Sequence, residues 1–396
     1  MSVNTMTFEQ AAAILNNIHA QVTGAQGTIA PVDTNEFVSV ATKTIAAGYD
    51  PVLKAITQMV TRTIFSIRPY AAQFRGIMMD SQKWGAIVRK LAISDKDWDD
   101  SQEFALEDGQ SIDMFKVNKP DVLQLNFYGA IVYQRHYTIF KDQLDNAFTG
   151  PDEFGRFMSM VVQNCNDIIE QCHENIARMT VVNYMAGKYA HDTDQSGSDG
   201  VVHLLTEYNA ETGETLTSTT VFAPANIGNF VKWAYARISD LTKLMEERSG
   251  KFQIQVTGHP IMRHTPLERQ KVYIFSKFLE EINARVKADT YHDTFLELSD
   301  VEAISFFQNI EDRQSIDVTP SYLDPDGTIK TTDSAVEMSN VVGVIFDEEA
   351  LGQTVINQWS ATTPLNAAGG YWNMYFHFTE RYYNDFTEKG IVLILD

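Results

Sequence analysis

An acidic run near residue 95 has the carboxylate spacing of a calcium-binding loop. Asp95, Asp97 and Asp99 occupy the first, third and fifth positions, where such loops place oxygen ligands. The sixth position is Asp100 in place of the glycine that makes the sharp turn, and the twelfth is Leu106 in place of a bidentate glutamate. The run is therefore interpreted as a solvated acidic segment without a metal.

Histidines and carboxylates form two further groups that could hold a metal. His191, Asp192 and Asp194 fall in a predicted loop rich in glycine and serine, which would not fix ligands in one geometry. A second group could serve a soluble metal-dependent hydrolase, although the sequence does not specify its geometry. This second group contains His259, His264, His292 and Asp293.

Nucleophilic chemistry has little support in the sequence. Cys165 and Cys172 are the two cysteines, and in a helical stretch they lie about 10 Å apart along one face, which is too far for a disulfide. Both are predicted to be buried free thiols. A nucleophile elbow, a phosphate-binding glycine loop and a zinc-protease helix signature are absent from the chain. The sequence thus gives no positive sign of an enzyme, and no cofactor is expected.

Residues 371–378 form an aromatic-rich run that could in principle stack on nucleic-acid bases. Packing of a buried strand explains the same run more simply, because aromatic residues are enriched in strands. The run is therefore predicted to be a strand, with the aromatic side chains packed against the protein core.

The composition limits the function classes further. The chain has 396 residues, 44% of them apolar, and a formal net charge of −21, so we expect an ordered protein with more than one packed region. Such an acidic surface disfavours general binding to phosphate backbones. The sequence contains no apolar run of membrane-spanning length and no secretory signal, and it predicts cytoplasmic synthesis.

The N-terminal region is predicted to contain three helices. Apolar residues at three- and four-residue steps mark helices at 7–22, 35–47 and 51–65, with Asp50 as the N-cap of the third. Residues 23–31 contain two glycines and a proline, which predict a flexible connector. The first helix is therefore expected to be a separable arm.

A hairpin and a long helix follow. Residues 84–93 and 121–140 have strand composition, and the acidic residues 94–120 between them have few groups for a core, so they are expected to form an exposed tip. Apolar residues from Phe154 to Met179 then recur in alternating four- and three-residue steps. They predict one amphipathic helix over 151–189, ended near Gly187.

The remaining chain alternates helical and strand patterns and predicts an α+β region. Helices are expected at 225–248 and 266–287. Strands are expected at 252–257, 301–307, 341–346, 371–383 and 391–395.

This order of elements resembles the Hong Kong 97-type capsid fold of tailed bacteriophages. The C-terminal sequence resembles the corresponding sequence of tailed-phage major capsid proteins. The matching segments are 341–351, 370–373, 384–388 and the apolar ending 391–395. The resemblance implies an α+β fold with an N-terminal arm, an extended β-hairpin loop, a spine helix in a peripheral domain, and an axial domain. The implied regions are 1–50 (arm), 51–140 (leading helix and hairpin), 141–220 (peripheral domain with the spine helix 151–189), 221–345 (axial domain) and 346–396 (strands returning to the peripheral domain).

The resemblance also implies a function without an active site. A major capsid protein would assemble with itself, as hexamers and pentamers, into an icosahedral virion shell around double-stranded DNA. A separate scaffolding protein and a portal are the expected partners, with assembly in the host cytoplasm and no membrane. An encapsulin-like compartment shell is the nearest alternative, and the metal-dependent hydrolase is the alternative from a different class.

Assembly by such a subunit would depend on extended contacts. The hairpin, residues 71–140, is expected to lie over a neighbour, and the arm, residues 1–50, to reach under another. Deletion of residues 95–119 is expected to leave a folded subunit that does not assemble. Six apolar side chains are predicted to lie at inter-subunit contacts: Phe8, Leu15, Ile18, Trp98, Phe104 and Phe115.

Overall fold

The computed structural model describes residues 8–24, 34–63, 74–77, 88–95, 106–111, 114–115, 117, 119–128, 130–195, 199–289 and 301–396. Within these ranges, no helix combines the length and the apolar character needed to cross a membrane. Several residues discussed above lie outside the described residues: Asp97, Trp98, Asp99, Asp100, Phe104, His292, Asp293, residues 84–87 and most of the predicted connector.

Three N-terminal helices match the predicted ones to within two residues at each end. Asp50 does not precede the third helix as predicted, because that helix begins one residue earlier, at Tyr49. The Asp50 carboxylate instead accepts a hydrogen bond from Trp372 Nε1 at 2.7 Å, which ties this helix to a distant strand. The helices are α1 (Phe8–Thr23), α2 (Thr34–Ala46) and α3 (Tyr49–Thr63).

Helix α1 packs into the core of its own chain. Leu15 and Ile18 are fully buried there, and the half-buried ring of Phe8 lies 6.1 Å from Phe37, which in turn lies 5.9 Å from Phe154. An amphipathic helix buries its apolar face against other apolar side chains, and α1 buries this face in the cluster that contains Phe37 and Phe154. Contrary to the separable arm that we predicted, α1 would have to leave the cluster before Leu15 or Ile18 could contact another subunit.

The predicted hairpin is present, although its second strand is shorter than predicted. Strands β1 (Val88–Ile93) and β2 (Val122–Phe127) pair antiparallel, with Val88 opposite Phe127 and Ile93 opposite Val122. The strand predicted over 121–140 is interrupted after β2, and β3 (Ile131–Phe140) belongs to a different sheet. The ribbon of β1 and β2 is therefore a separate two-stranded sheet.

A long helix follows, as predicted. After the short helix α4 (Lys141–Ala147), α5 (Pro151–Asp194) runs for 44 residues, or about 66 Å at 1.5 Å per residue. Proline stands in its first turn, where a missing backbone N–H costs nothing. The helix continues five residues beyond the predicted end and passes through Gly187. Met179, placed on the predicted apolar face, is largely exposed.

A three-stranded antiparallel sheet covers one side of the N-terminal helices. Its order is β12 (Leu351–Thr362), β13 (Tyr371–Asn384), β3. The predicted strand 371–383 is confirmed as β13, whereas β12 was not predicted. Alternate β13 residues face the core shared with α1 and α3, and these buried residues are Trp372, Met374, Phe376 and Phe378.

A five-stranded mixed sheet forms the second core, with α6 (Leu204–Thr212), α7 (Ile227–Glu246) and α8 (Ser276–Asp289) around it. The helix predicted over 266–287 is wrong in its first half, because residues 270–275 form a strand whose two faces are both covered. Residues 252–257 are irregular, with an isolated bridge at Val256, in place of the predicted strand. The sheet order is β4 (Val201–His203), β14 (Gly390–Ile394), β11 (Val341–Asp347), β5 (Gln270–Phe275) and β6 (Val301–Ile304).

Two short antiparallel pairs lie beside α5. The first joins β7 (Ile316–Val318) to β10 (Val336–Met338), and the second joins β8 (Ser321–Leu323) to β9 (Ile329–Thr331). The final residues of the chain divide between the two larger sheets, since β13 pairs with β3 and β14 pairs with β11. Within the predicted segment 346–396, β14 therefore lies in the five-stranded sheet, between β4 and β11.

Candidate functional site: the hairpin and its anchor

The ribbon of β1 and β2 has one face toward the body and one toward solvent. Strand periodicity places alternate side chains on opposite faces. Leu91, Ile93 and Val122 lie on the solvent face, with 63, 66 and 52% of their surface exposed. Ile93 is directly opposite Val122. We call these three side chains the ribbon face, an exposed apolar surface.

The connection between the two strands carries more exposed apolar side chains. Met114, Phe115 and Val117 are each about four-fifths exposed. Phe115 is one of the predicted inter-subunit contact residues, and its exposure leaves it accessible to another copy. Trp98 and Phe104, which were predicted with it, lie outside the described residues. We call Met114, Phe115 and Val117 the hairpin tip.

An ion-pair cluster attaches β1 to the C-terminal part of the chain. Lys90 Nζ lies 2.9 Å from Asp385 Oδ2, 2.5 Å from Glu388 Oε1 and 3.3 Å from Glu349 Oε2. Burial alone would lower the pKa of Lys90, but the carboxylates of Asp385 and Glu388 outweigh it and hold that pKa above its ordinary value. Lys90 is thus a charged anchor on the body-facing side of the ribbon.

A second attachment lies just beyond Ile93, at the end of the ribbon that leads to the connecting segment. The backbone N–H of Asp95 donates to Pro260 O at 2.7 Å, and the Asp95 carboxylate accepts from Met262 N at 2.6 Å. Arg248 Nη2 lies 2.5 Å from the same carboxylate. Asp95, considered above as a calcium ligand, therefore acts as a structural anchor.

Residues 385–390 connect the ribbon to the rest of the subunit. Asp385 Oδ1 accepts from Thr387 N at 2.9 Å and from its hydroxyl at 2.6 Å, which closes a tight turn. Glu388 pairs with Lys90 and with Arg263, at 3.0 Å from the latter. Lys389 Nζ donates to Met245 O at 3.2 Å and to Glu247 O at 2.5 Å, at the end of α7. We call residues 385–390 the junction segment.

Close packing fastens the junction segment to α5. The Phe386 ring stacks on Tyr184 with centroids 5.2 Å apart, and it crosses α5 at Gly187. A Cβ atom at Gly187 would lie 2.7 Å from Phe386 Cζ, so only glycine lets the Phe386 ring pack this closely against α5. Gly187 therefore does not end the helix. Tyr184 in turn leaves no room for a Cβ atom at Gly390.

A buried carboxylate links α5 to the three-stranded sheet. Glu380 accepts from Tyr133 OH at 2.5 Å and from Gln353 Nε2 at 2.7 Å, and its carboxylate contacts His173. Burial opposes its ionisation, but the hydrogen bonds from His173, Tyr133 and Gln353 hold the pKa of Glu380 below its ordinary value. Cys172 beside it is a free thiol, half-buried where full burial was predicted, and burial raises its pKa.

The residues once considered as metal ligands have other roles. His191 and Asp194 lie on α5, not in a loop, and Asp194 accepts from Tyr322 OH at 2.5 Å and pairs with Lys330. His264 lines a cavity of about 380 Å³ together with Arg248, Arg263 and Arg269. Among the described residues, no three histidine, cysteine or carboxylate side chains come together as a metal site.

Lys188 is a buried cation in α5 whose charge should affect stability. It is 2% exposed, and its Nζ donates to Phe252 O at 2.9 Å. Burial lowers the pKa of Lys188 to about 7, against the opposing effect of nearby carboxylates. The unfolded chain therefore binds more protons than the folded chain between about pH 7 and 10. Folding stability contributed by this position must rise with pH in that window.

We predict that Lys188→Met removes this pH dependence. The wild-type free energy of unfolding, measured relative to the variant by urea denaturation, should rise between pH 7 and 10 by up to about 1.4 kcal/mol per pH unit. Below pH 7 the difference should be nearly constant. Parallel pH profiles for the two proteins across this window would contradict a depressed pKa at Lys188.

The sequence did not reveal the anchor. Lys90, Arg263 and Lys389 were not singled out, although Lys90 alternates with apolar residues on the inward side of a predicted strand. A lysine at an inward strand position requires a buried anion. The acidic residues Asp385 and Glu388 in the C-terminal segment could have been paired with it on that basis.

Comparison with solved structures identifies the kind of fold. A chain in the capsid structure of Staphylococcus phage Andhra matches with a TM-score of 0.52 and 11% identity, over 84% of this chain and 86% of that one. A chain in the structure of native bacteriophage P68, described for its head fiber and inner core protein, matches with a TM-score of 0.54 and 12% identity, over the same shares. The architecture is therefore a fold found in phage heads.

Residues 12–394 match the family model described as Phi29-like phage major capsid protein. The chain belongs to this family, and it is a structural subunit of a phage capsid shell. No curated protein matches the chain. Membership in this family does not favour the encapsulin-like compartment or the metal-dependent hydrolase considered above.

Proposed function

We propose that copies of this chain form the hexamers and pentamers of an icosahedral head around double-stranded DNA, and that the ribbon of β1 and β2 lies over a neighbouring copy. The observation that carries this proposal is the exposed ribbon face on a ribbon that Lys90 and Asp95 fasten to the body of the subunit. A rigidly attached ribbon presents its apolar side chains at a defined position, so its contacts cost little ordering entropy.

The energy available from such contacts suits a shell. Burial of a Leu, Ile or Val side chain contributes roughly 1.5–3 kcal/mol when it is complete. Three such side chains give a modest contact in each copy, and a closed shell repeats that contact many times. Contacts of this size allow misplaced subunits to dissociate during assembly, while the finished lattice is stabilised collectively.

The proposed layout is that of the Hong Kong 97-type fold. The ribbon with its tip would be the extended loop, α5 the spine helix of the peripheral domain, and the five-stranded sheet with α7 and α8 the axial domain. This assignment is supported by the length of α5 and by the separate cores on the two larger sheets. In it, the junction segment joins all three regions.

The proposed partners follow from the same assignment. A separate scaffolding protein would direct assembly in the host cytoplasm, and a portal would occupy one vertex of the virion. The net charge of −21 fits an inner wall that contacts packaged DNA weakly and without sequence preference. The subunit would act without catalysis, cofactor or covalent cross-link between copies.

Replacement of Leu91 by aspartate tests the role of the ribbon face. Because Leu91 is already exposed, L91D should leave the free energy of unfolding within about 0.5 kcal/mol of wild type. It should reduce the yield of closed shells, counted by negative-stain electron microscopy, at least tenfold. Leu365→Asp is the matched control, since Leu365 is also exposed but lies in the turn between β12 and β13.

The control variant should assemble within twofold of wild type. Normal shells from L91D would show that the ribbon face makes no essential contact. Equal losses for both variants would instead indicate that any added charge blocks assembly, and the proposed role of the ribbon would then be wrong.

A further inference from the structure

Strand β3 forms one edge of the three-stranded sheet, and this edge is open to solvent. All ten β3 residues pair with β13 without a register shift, and no other described strand pairs with β3. Its central residues Gln134, Arg135 and His136 are exposed in succession. A long, regular strand edge carries unpaired backbone N–H and C=O groups, which can pair with a strand of another chain.

The opposite edge of the sheet is protected, whereas the β3 edge is not. Strand β12 has a register shift between Val355 and Asn357, and helix α3 packs against it. Bulges and covering helices are two ways in which proteins keep sheet edges from pairing, and charged side chains are a third. Strand β3 pairs without a bulge, and Arg135 is its one charged residue. Its edge is therefore available for pairing.

The exposed apolar residues of β3 are symmetrical about His136. Alternate residues of β3 face away from the core, and among them Val132 is 70% exposed and Phe140 is 47% exposed. Both lie four residues from His136, one on each side. When two copies of β3 pair antiparallel with His136 opposite His136, Val132 of each copy lies opposite Phe140 of the other. The exposed apolar side chains then cover each other.

Charge selects the same register. With His136 at the centre, the guanidinium group of Arg135 lies opposite Tyr137 of the other copy. A register centred on Arg135 would place two like charges opposite each other, which destabilises a strand pair, and would leave Phe140 opposite Ala130. The net charge of −21 makes two copies repel at most surfaces, so an edge whose one charge is positive favours contact with a second copy.

We infer that β3 pairs with β3 of a second copy across a two-fold axis at His136, which joins the two three-stranded sheets into one sheet of six strands. The contact is isologous, since both copies contribute the same strand. In an icosahedral head, two-fold and local two-fold axes relate subunits of neighbouring hexamers and pentamers. The inference rests on the proposed function for this location, and it adds a contact that does not involve the ribbon.

Disulfide trapping tests the pairing and its register. In a parent that carries Cys165→Ser and Cys172→Ser, His136→Cys places two cysteines directly opposite each other, with Cα atoms about 4.5–5.5 Å apart. That separation suits a disulfide. Gln134→Cys is the matched control, since Gln134 is exposed on the same side of β3 but lies about 13 Å along the strand from its copy. After assembly and mild oxidation, non-reducing gels should show at least tenfold more dimer for His136→Cys.

A mixture of two differently tagged chains tests the register independently. The pairing places Gln134 opposite Thr138 of the second copy, so chains with Gln134→Cys and Thr138→Cys should form a heterodimer, although neither cross-links to itself. Shells that are intact by electron microscopy but yield neither disulfide would overturn the inference and leave the proposed function standing. Dimers of His136→Cys from a parent that forms no closed shells would support the pairing and count against the proposed function.

Charge substitution covers the case in which the cysteines disturb folding or assembly. His136→Lys places two ammonium groups opposite each other at the axis, and it should lower the yield of closed shells at least tenfold. Ala361→Lys, on the exposed side of β12 at the other edge, should change the yield no more than twofold. Equal yields for the two variants would contradict the inference. If H136K chains form normal shells but lose binding to a co-expressed scaffolding protein, the β3 edge belongs to that partner and the inference is wrong.

Discussion

Lys90→Met should release the ribbon from the body of the subunit and abolish shell assembly. The substitution leaves Asp385 without its cation and Glu388 with Arg263 alone, and removal of one partner from a buried ion pair costs about 3–5 kcal/mol. Because the ribbon can detach without unfolding the two cores, the loss should appear as local opening. Hydrogen exchange of the β1 and β2 amides should accelerate, while β11 and β14 remain protected.

Low pH should partly rescue this variant. Burial raises the pKa of Glu388 against the opposing charges of Lys90 and Arg263, and the loss of Lys90 must raise that pKa further. Protonation of Glu388 on acidification would then reduce the excess negative charge beside Asp385 and slow the exchange of β1 and β2 relative to the Lys251→Met variant at the same pH. Lys251→Met is the control, since Lys251 is exposed and 3.9 Å from Asp199. Equal exchange rates in K90M, K251M and wild type would refute the anchoring role of Lys90.

Gly343→Ala should prevent folding of the subunit. Gly343 lies in the central strand β11, opposite Ile274 of β5. A Cβ atom there would lie 3.2 Å from Ile274 Cα and would overlap the carbonyl oxygen of Tyr273. These are backbone atoms of the adjacent strand, so no side-chain rotation relieves the clash. We expect a loss of several kcal/mol, comparable to severe overpacking, and recovery of the protein mainly in the insoluble fraction.

Gly150→Ala provides the comparison for this glycine. Gly150 precedes α5 in an extended conformation, and a Cβ atom there would meet open space. Its replacement should cost less than about 1 kcal/mol and leave soluble yield and melting temperature nearly unchanged. A soluble G343A variant with a wild-type melting temperature would show that β5 and β11 can separate without cost, contrary to the packing described above.

Elements with one buried face could be predicted from the sequence. Helix α5 was found from its apolar repeat, and β13 from its aromatic run, because each has a solvent face that makes the period visible. The ribbon was found for the same reason. Exposure of the tip could be anticipated at Phe115, since the surrounding segment has too few apolar residues to form a core.

Strands β11 and β14 are buried on both faces and were still predicted, but strand β5, also buried on both faces, was not. Strand β5 contains Val272, Tyr273, Ile274 and Phe275 in succession, and a short continuous apolar run does not distinguish a strand from a helix. Gly187 was interpreted as a helix end because its sequence neighbours resemble a loop. Its role depends on Phe386, almost two hundred residues away, which local pattern analysis cannot detect.

The anchor was hidden for a similar reason. The C-terminal residues Asp385 to Glu388 looked familiar as part of a family pattern, but the pattern does not say what they bind. The structure supplies the partner, Lys90, on an element almost three hundred residues earlier. The C-terminal sequence pattern therefore indicated the kind of protein. Why these residues are present became clear only from their contacts in the structure.

Cryo-electron microscopy of the assembled protein tests the central claim most directly. The protein, expressed with and without a co-produced scaffolding protein, should yield closed shells built from hexamers and pentamers. In the reconstruction, the ribbon of each subunit should lie over the adjacent copy, with Leu91, Ile93 and Val122 buried between them. Closed shells in which the ribbon face remains exposed to solvent, or a protein that stays monomeric under both conditions, would contradict this account.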